Sequence, residues 1–303
     1  MARQRERDDR ASVEYAERAP SGTVAGLSSV TAADAPSSLG GTAPDPRALE
    51  TLDLEVHLAT PTLNQRYVTA IFDIVAPRYD QFTRWFSFGM DAAWKRDLLA
   101  RAAQRDSPIR VAVDLACGTG DLALGVGAKA PMAQVVGLDV SRRMLHLAQA
   151  KARAKSPEGG VVDATPRRIA WCAGNLCRLP FPDASIDLVT AGYAVRNAPL
   201  WTAALDEIAR VLKPGGVLLS LDFFKPANRL WRGLFLSYLG VSGRAYGWLW
   251  HRAPPVYGYI APSIARFTTA DEFAVALTDR GLRVEAINRR LGGGIALHVA
   301  RRD

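Results

Sequence analysis

Apolar residues recur with helical spacing where the regular part of the chain begins. From Leu63 onward the hydrophobic positions follow the i, i+3, i+4, i+7 pattern of an amphipathic helix: Val68, Ile71, Phe72 and Val75. Pro77 should end this helix, and a second helix is expected over 92–103 after a turn rich in Phe and Trp. The pattern therefore predicts a small helical unit ahead of the main fold.

Short apolar runs then alternate with helical stretches. Helices are expected after Gly120, after Ser141 and over 199–212. The predicted strands cover 109–116, 134–140, 168–174, 186–194 and 216–224. Such alternation is typical of a parallel sheet with helices on both faces.

The C-terminal part of the chain has a different pattern. Thr269 with Glu272 three positions later predicts a capping box, and Gly281 suits the C′ position of that helix. Two last strands, 282–291 and 294–302, are close enough in sequence for a hairpin. We therefore predict an α/β fold: a doubly wound, mostly parallel sheet with an antiparallel terminal hairpin, plus an N-terminal helical cap.

Composition divides the chain further. Residues 1–60 are rich in Ala, Ser, Gly, Thr and Pro without apolar periodicity, so we expect a disordered tail. The remaining residues, 61–303, are predicted to form one domain. Within it, 61–106 form the helical cap, and 226–265, where the alternation stops, form a substrate or lid insertion.

The chain is basic overall, with 38 Lys and Arg against 30 Asp and Glu. Residues 1–60 hold 6 of the basic and 10 of the acidic side chains, so residues 61–303 carry a net charge of +12. Such a surface suits nucleic acid, anionic lipid headgroups or an acidic small molecule. The sign of the charge does not choose among them.

Three cysteines, Cys117, Cys172 and Cys177, are too few and wrongly spaced for a disulfide framework or a zinc site. No cluster of metal ligands is evident in the sequence. No apolar run approaches the ~20 residues that span a bilayer, and the tail lacks the apolar core of a secretory signal. We expect a cytoplasmic protein without a metal ion.

The segment DLACGTGDLAL (114–124) places Gly118 and Gly120 where a strand turns into a helix. Backbone can approach a ligand closely there, and the helix N–H groups point at it. Asp139, at the end of the next strand, lies near the ~20-residue offset of an acid that binds ribose. NAD and S-adenosylmethionine both carry that ribose. Asp114 favours S-adenosylmethionine, because a buried acid suits an amino group better than a pyrophosphate; its alternative role is to cap a backbone turn.

Longer stretches carry a resemblance to a known family. They are IFDIVAPRYD (71–80), SFGMDAAWKR (87–96), GNLCRLPFPDASIDLVT (174–190), YAVRN (193–197), RVLKPGG (210–216) and GGGIALH (292–298). The glycine loop and LKPGG are general to a fold, whereas YD, SFG, WK, the Arg-Asn pair and GGGIALH are particular. From about residue 66 the chain resembles the ubiquinone/menaquinone biosynthesis C-methyltransferase family, which are class I S-adenosylmethionine-dependent methyltransferases.

The resemblance implies a methyl donor, an acceptor and a set of site residues. The donor is S-adenosylmethionine and the acceptor a prenylated quinol, with demethylmenaquinol first among the candidates. The implied donor-binding residues are Asp114, Gly118, Thr119, Gly120, Asp139, Asn175, Leu176 and Gly192. The implied catalytic residues are Arg196 and Asn197, with Tyr79 and Asp80 of the cap as candidates for orienting a ring hydroxyl, or for simple helix-end packing.

Arg196 and Asn197 follow the fourth predicted strand. Ligands of a parallel sheet lie beyond the carboxyl ends of its strands, so this pair should face the acceptor. A guanidinium emerging from an apolar strand needs an anionic partner, and the structural alternative is a buried ion pair with Asp187 or Asp222. Asn197, two residues before Pro199, is equally suited to cap a helix. If Arg196 acts chemically, it either stabilises the phenolate of the quinol or orders a water that accepts the proton, a charge-placement role often worth ~10²–10³ in rate.

The chain departs from the family pattern mainly near the acceptor. The departures are Thr83 in place of Asn, Asp91 and Ala92 in place of His-Arg, Gly192 in place of Ser, and Leu176 and Cys177 in place of Ala-Glu. Donor binding is compatible with them, whereas the acceptor stays open. Another phenolic or lipid acceptor, a nucleic-acid methyltransferase and a non-catalytic donor-binding protein remain alternatives. The Asn/Asp-Pro-Pro-aromatic cluster used on exocyclic amines is missing, so no nucleic-acid partner is predicted.

The segment NRLWRGLFLSYLGVSGRAYGWLWHR (228–252) combines apolar bulk with arginines. It could line a groove for a polyprenyl tail and rest on an anionic membrane face, or it could pack on the core as a lid helix. A peripheral contact with the inner face of a membrane and a homodimer both stay open.

Overall fold

The computed structural model describes residues 44–103, 107–154 and 169–303. Its helices are α1 Leu54–Ala59, α2 Pro61–Val75, α3 Tyr79–Phe86, α4 Met90–Ala103, α5 Asp121–Lys129, α6 Arg142–Ala154, α7 Trp201–Val211, α8 Arg229–His251, α9 Pro255–Gly258, α10 Ile260–Arg266 and α11 Ala270–Thr278. Its strands are β1 Val111–Leu115, β2 Gln134–Asp139, β3 Ile169–Ala173, β4 Ile186–Gly192, β5 Leu212–Phe223, β6 Leu282–Arg290 and β7 Ile295–Arg302. Within these ranges, none of the helices could serve as a transmembrane span.

The seven strands form one sheet in the order β3-β2-β1-β4-β5-β7-β6. Strands β1 to β5 are parallel, whereas β7 is antiparallel to both β5 and β6. The strand order reverses between β1 and β4, which is where ligands bind in open sheets of this kind. The predicted strands and the terminal hairpin are therefore present, and they place the glycine loop and the Arg-Asn pair at the same edge.

Helices cover both faces of the sheet. On one face α7 and α11 bury Leu205, Ile208 and Phe273 against the strands, and on the other α4 and α5 bury Leu98 and Leu122. Fully burying a side chain of this size stabilises the fold by ~1.5–3 kcal/mol. Both faces of the parallel strands are thus removed from water, which explains why the sequence shows them as continuous apolar runs.

A third apolar cluster joins the N-terminal helices to the long helix α8 and its neighbours. Ile71 from α2, Phe82 from α3, Leu239 from α8 and Tyr257 from α9 are buried together. The rings of Phe82 and Tyr257 stack with centroids 3.8 Å apart. We refer to α2, α3, α8, α9 and α10 as the cap. Helices α2 and α3 therefore pack with α8, α9 and α10 although the two groups are far apart in sequence, whereas α4, which the predicted cap included, packs on a face of the sheet.

Helical structure begins earlier than the sequence analysis placed it. Pro46–Thr51 form a 3-10 helix, at whose start the Asp45 carboxylate accepts a hydrogen bond from the backbone N–H of Arg47 at 2.9 Å. Leu49 is buried in the cap cluster, and α1 follows. The boundary of the predicted tail at residue 60 is thus too late, because one buried leucine leaves no periodic signal. The rest of that tail, 1–43, lies outside the described residues.

Three helix ends have residues of the types that are typical of helix caps. The predicted capping box is confirmed: the Thr269 hydroxyl accepts from Glu272 N at 3.2 Å, and the Glu272 carboxylate accepts from Thr269 N at 3.0 Å. At the other end of α11, Gly281 has a φ of +71°, but it does not occupy the C′ position predicted for it: Asp279 is the C-cap, so Gly281 lies one residue beyond C′. Asn228 caps α8 through its side-chain oxygen, which accepts from Trp231 N at 2.9 Å.

Candidate active site

Three adjoining cavities lie at the carboxyl ends of β1, β2 and β4. The apolar cavity, of about 610 Å³, lies between the cap and the strands. The central cavity of about 540 Å³ and the loop cavity of about 330 Å³ follow the glycine loop. Tyr79 and Tyr193 line all three, and Ala116, Gly118 and Gly192 line both smaller ones. The three cavities therefore form one continuous site.

The glycine loop has the backbone that its residues favour. Gly118 and Gly120 have left-handed φ values of +53° and +85°. A Cβ at Gly120 would lie 2.6 Å from the ring of Trp171, and one at Gly118 would lie 3.7 Å from the ring of Tyr79. A side chain at Gly120 would therefore displace the partly buried ring of Trp171, so glycine is required there. Gly120 shapes the turn without lining a cavity, whereas Gly118 lines two.

Asp114 has the structural role that the sequence analysis weighed as its alternative, and it also faces the site. One carboxylate oxygen accepts from the backbone N–H of Ala123 at 2.9 Å, which holds the first turn of α5. The other accepts from the Thr190 hydroxyl at 2.8 Å. Burial raises the pKa of Asp114 to about 7. The carboxylate also lines the loop cavity, so it is available to a cationic group there.

Asp139 lines the central cavity together with Asn175 and Leu176, as the family resemblance implies. Its two oxygens accept from the backbone N–H groups of Gly118 and Ser141, each at 2.8 Å. Burial raises the pKa of Asp139 to about 6. Because each carboxylate oxygen has two lone pairs, these two bonds leave Asp139 with further acceptor capacity at the central cavity.

Two roles were predicted for Asp80, orienting a ring hydroxyl or packing at a helix end, and its contacts do not bring it to the apolar cavity. Its carboxylate accepts from the Thr119 hydroxyl at 2.5 Å and pairs with Lys151 at 2.6 Å. Lys151 also pairs with Asp121 at 2.8 Å. Asp80 lines none of the three cavities, whereas Thr119 lines the loop cavity. Tyr79 and Asp80 are consecutive in α3, where side chains diverge by ~100° per residue, so only Tyr79 faces inward.

Tyr79 is the cap residue that closes over the glycine loop. Its ring lies edge-on to Phe72, with centroids 6.1 Å apart. Burial raises the pKa of its hydroxyl. Because Tyr79 lines all three cavities, it lies where the apolar cavity meets the two cavities of the glycine loop.

Arg196 is buried at the base of the apolar cavity, and Asp222 is its acidic partner. Its Nε lies 3.3 Å from Oδ1 of Asp222, and its side chain is 5% exposed. One terminal nitrogen donates to the Ser263 hydroxyl at 2.8 Å, and the guanidinium lies 5.4 Å from the centre of the Phe223 ring. Burial raises the pKa of Asp222 to about 6, although the guanidinium opposes the shift. The other candidate partner, Asp187, instead pairs with Lys213 at 2.8 Å.

Asn197 does not cap a helix. It lies in a 3-10 turn, Val195–Asn197, and α7 begins only at Trp201, with Leu200 at the N-cap position. The Asn197 side chain donates to the carbonyl of Tyr193 at 2.9 Å and accepts from Arg196 at 3.1 Å. It lines both the apolar and the central cavity. Pro199 therefore lies in an irregular segment between the 3-10 turn and the start of α7.

Three further polar residues of the site were missed as site residues in the sequence. The Tyr193 hydroxyl donates to the Asp91 carboxylate at 2.9 Å, and Lys95 pairs with the other oxygen of Asp91 at 2.8 Å. Asp91 was noted only as a departure from the family pattern. The available signal was its spacing from Lys95, which places both side chains on one face of α4.

Within the three described ranges, no group of three His, Cys, Asp or Glu side chains is arranged to hold a metal ion. His251 lies beside Tyr257, with Nε2 3.3 Å from the hydroxyl, and burial lowers the pKa of its ring. His298 is buried, and its Nε2 lies 2.9 Å from the carbonyl of Ala270. Neither histidine lines a cavity of the site.

Relatives with curated names match most of the chain. A demethylmenaquinone methyltransferase of Deinococcus radiodurans is 37% identical over 229 residues, covering 76% of this chain and 89% of that protein. One of Thermus thermophilus is 34% identical and covers 77% of this chain and all of that protein. A ubiquinone/menaquinone biosynthesis C-methyltransferase of Syntrophotalea carbinolica is 36% identical, covering 74% of this chain and 89% of that protein.

Solved structures support the fold. A chain in the complex between the Haloferax volcanii Trm112 methyltransferase activator and a methyltransferase aligns with a TM-score of 0.52 at 20% identity, covering 77% of this chain and 96% of that one. The predicted fold class, a class I methyltransferase sheet with an antiparallel terminal hairpin, is confirmed.

The match of the whole domain decides the family. The model of the ubiE/COQ5 methyltransferase family covers residues 60–302, so the resemblance drawn from the sequence motifs is confirmed. Members of such a family take their methyl group from a donor of the S-adenosylmethionine type, and this protein is therefore an enzyme of the methyltransferase class. The chain belongs to the ubiE/COQ5 methyltransferase family.

Proposed function

We propose that this chain transfers a methyl group to a ring carbon of a prenylated quinol in quinone biosynthesis, with demethylmenaquinol as the first acceptor to test. The observation that carries the proposal is the apolar cavity. Its walls are largely aromatic and aliphatic, and its base presents Arg196 and Asn197 beside the cavities of the glycine loop. A flat apolar ring with two hydroxyl groups suits such walls. The names of the Deinococcus and Thermus relatives support the same acceptor.

The central and loop cavities fit S-adenosylmethionine, which when bound supplies a methyl group on a positively charged sulfur. Asp139 would accept from the ribose hydroxyls, with Asn175 and Leu176 along the base. Asp114 would face the amino group at the other end, beside Thr119. Two observations support the fit. Asp114 and Asp139 are buried from solvent, yet each lines one of these cavities. Gly118 and Gly192 line both cavities, and because they have no Cβ they leave room for a ligand that extends through both.

Arg196 would act on the acceptor. A guanidinium stays protonated in proteins, so it stabilises negative charge instead of removing a proton. As a ring hydroxyl loses its proton, the charge that develops on oxygen would lie against Arg196, which Asp222 and Ser263 hold in a fixed orientation. Asn197 would support this geometry through its bonds to Arg196 and to the backbone of Tyr193. Preorganised charge of this kind is often worth ~10²–10³ in rate.

Helix α8 supports a route for the prenyl chain. The outer face exposes Leu230, Leu234, Tyr238, Val241, Trp248 and Leu249. On the other side of the helix, Phe235 and Leu239 are buried in the apolar cluster of the cap. Residues 228–252 contain four arginines and no acid. An apolar face flanked by arginine suits the surface of an anionic membrane, where prenylated quinols dissolve. We propose that the cap rests there as a lid that admits the ring while the chain stays in lipid.

Methyl transfer to reduced demethylmenaquinone, with labelled S-adenosylmethionine, tests the proposed function. We expect turnover by the wild type and a rate ~10²–10³ lower for Arg196→Ala, with affinity for S-adenosylhomocysteine retained. Arg280→Ala is the matched control, because Arg280 pairs with Asp206 away from the cavities. Tight donor binding without product from demethylmenaquinol or a demethylated ubiquinol precursor would contradict the proposal. Product with RNA instead would favour a nucleic-acid acceptor.

Vesicle flotation tests the membrane contact separately. Leu234→Glu and Trp248→Glu should weaken binding to vesicles with anionic lipid, since each puts a carboxylate on the outer face of α8. Val275→Glu is the control, because Val275 is equally exposed but lies on α11. Equal binding by all three variants would contradict the proposed surface.

A further inference from the structure

A carboxylate and a tyrosine hydroxyl are joined within the apolar cavity. Asp91 is 7% exposed and is the one carboxylate among the described residues that line this cavity. Oδ1 of Asp91 accepts from the Tyr193 hydroxyl at 2.9 Å, while Oδ2 lies 2.8 Å from Nζ of Lys95. Lys95 in turn lies 3.1 Å from Asp121. The apolar cavity is thus lined by a carboxylate, Asp91, to which the hydroxyl of Tyr193 donates a hydrogen bond.

The backbone holds Tyr193 in an uncommon conformation. Its φ of +58° is in the left-handed region, which costs about 1–2 kcal/mol for a residue with a Cβ. Its N–H donates to the carbonyl of Leu221 at 2.7 Å, and its carbonyl accepts from Asn197 at 2.9 Å. The strained turn aims the ring between the donor cavities and the acceptor cavity, all three of which it lines.

We propose that Tyr193 and Asp91 form the proton relay of the reaction: the Tyr193 oxygen accepts the proton of a ring hydroxyl of the acceptor and passes its own proton to Asp91. This inference rests on the proposed quinol methyltransferase function. It assigns Tyr193 as a catalytic residue that touches the acceptor, and Asp91 as the final holder of the proton. Arg196, already paired with Asp222, keeps the separate role of stabilising charge on the ring oxygen.

The relay balances atoms and charge. The ring O–H bond breaks, its proton bonds to the Tyr193 oxygen, and the proton of Tyr193 bonds to Asp91. The electron pair left on the ring oxygen forms the carbonyl of a methylated dienone as the ring carbon bonds to the methyl group. The bond between that methyl group and the donor sulfur breaks, and its electron pair stays on the sulfur of S-adenosylhomocysteine, which leaves. Loss of the ring C–H proton to water then restores the aromatic ring, and the oxygen takes back the proton held at Asp91 through Tyr193.

The acidities of the acceptor hydroxyl and of Tyr193 suit this order of proton transfers. Electron density leaves the hydroxyl as the new carbon–carbon bond forms, so the hydroxyl becomes strongly acidic and a carboxylate suffices as the base. Burial and the nearby Asp91 raise the pKa of Tyr193, so it stays protonated and can donate while it accepts. The charged and titratable groups around the pair are Lys95 from α4, Asp121 from α5, Tyr79 from α3, Asp222 from β5 and Arg196.

The test measures the single-turnover rate of methyl transfer to demethylmenaquinol against pH for Tyr193→Phe and Asp91→Asn. We expect each to lower the rate ~10²-fold or more at neutral pH, with unchanged affinity for S-adenosylhomocysteine. In both variants the rate should rise as pH increases, because ionisation of the acceptor itself replaces the relay. The wild-type rate should depend on pH much less over the same range.

Two controls separate the relay from a structural effect. Asp97→Asn changes a carboxylate of the same helix, paired with Arg290 at the surface, and Tyr246→Phe removes the hydroxyl of a tyrosine that lines none of the three cavities of the site. Both should keep the wild-type rate and pH profile. Wild-type turnover with an unchanged rate and profile in Tyr193→Phe would overturn the relay alone. An inactive wild type that binds donor would overturn the proposed function with it. If Asp91→Asn does not fold, Tyr193→Phe decides.

Discussion

Replacing Asp222 tests directly how Arg196 is held. The carboxylate is fully buried, lies 3.3 Å from Nε of Arg196, and accepts from the backbone N–H groups of Arg196 and Phe223 at 3.1 and 2.8 Å. Asp222→Asn removes the negative charge and leaves the buried guanidinium without an ionised partner. Breaking a buried ion pair from one side costs ~3–5 kcal/mol. We expect the free energy of unfolding to fall by about 3 kcal/mol or more.

The same substitution should affect turnover without affecting the donor. Without its carboxylate partner the guanidinium can shift, and a displacement of about 1 Å can cost ~10²-fold in rate. Asp222 lines none of the three cavities, so the affinity for S-adenosylhomocysteine should be retained. Urea unfolding, calorimetric titration and single-turnover methyl transfer measure the three quantities.

Asp187→Asn is the matched control, since Asp187 was the other candidate partner of Arg196. Its carboxylate pairs with Lys213 and accepts from the backbone N–H groups of Arg110 and Val111, away from the cavities. This variant should lose some stability and keep the wild-type rate. Equal rates for the Asp187 and Asp222 variants would refute the idea that Asp222 positions the guanidinium.

Three other predictions concern the donor side. Gly120→Ala should cost about 2 kcal/mol or more and impair donor binding, because the new Cβ meets the Trp171 ring; Gly215→Ala, also at positive φ but in open space, should lose less. Calorimetry should show S-adenosylhomocysteine affinity falling from about pH 8 to about pH 5, because Asp114 and Asp139, with pKa values near 7 and 6, bind the donor when ionised. The pKa values of both groups are higher in the folded than in the unfolded protein, so the folded state binds their protons more tightly. The stability that this contributes is complete below pH 3.8, the unfolded pKa, and is lost as the pH rises through 6 and 7. Without donor, thermal unfolding should therefore occur at a lower temperature at about pH 8 than at about pH 5.

The sheet could be predicted because its signals are local. A strand buried on both faces is a continuous apolar run, and a capping box such as Thr269 with Glu272 is fixed by two residues three positions apart. Gly118 and Gly120 mark a turn that few other residues could form. By contrast, the ordered segment at Pro46–Thr51 depends on Leu49 reaching the cap, which is a contact between distant parts of the chain.

The site was predicted only as far as strand ends determine it. Asp114, Asp139 and Arg196 follow from the rule that ligands bind at the carboxyl ends of parallel strands. The choice between Asp187 and Asp222 depended on which end of its strand each acid occupies: Asp187 is the second residue of β4, whereas Asp222 lies near the end of β5 beside the Arg-Asn turn. The outward direction of Asp80 likewise depends on how α3 is rotated against the loop, which no motif specifies.

Asp91 shows how a departure from a family pattern is read once contacts are known. In the sequence it favoured a changed acceptor pocket and kept a non-catalytic protein open. In the structure its two carboxylate oxygens contact Tyr193 and Lys95, and Lys95 is paired again with Asp121. A buried charge left by the decay of a site would cost free energy with no partner to offset it. Asp91 is instead partnered through both oxygens and faces the apolar cavity, which is the arrangement that the proposed relay requires.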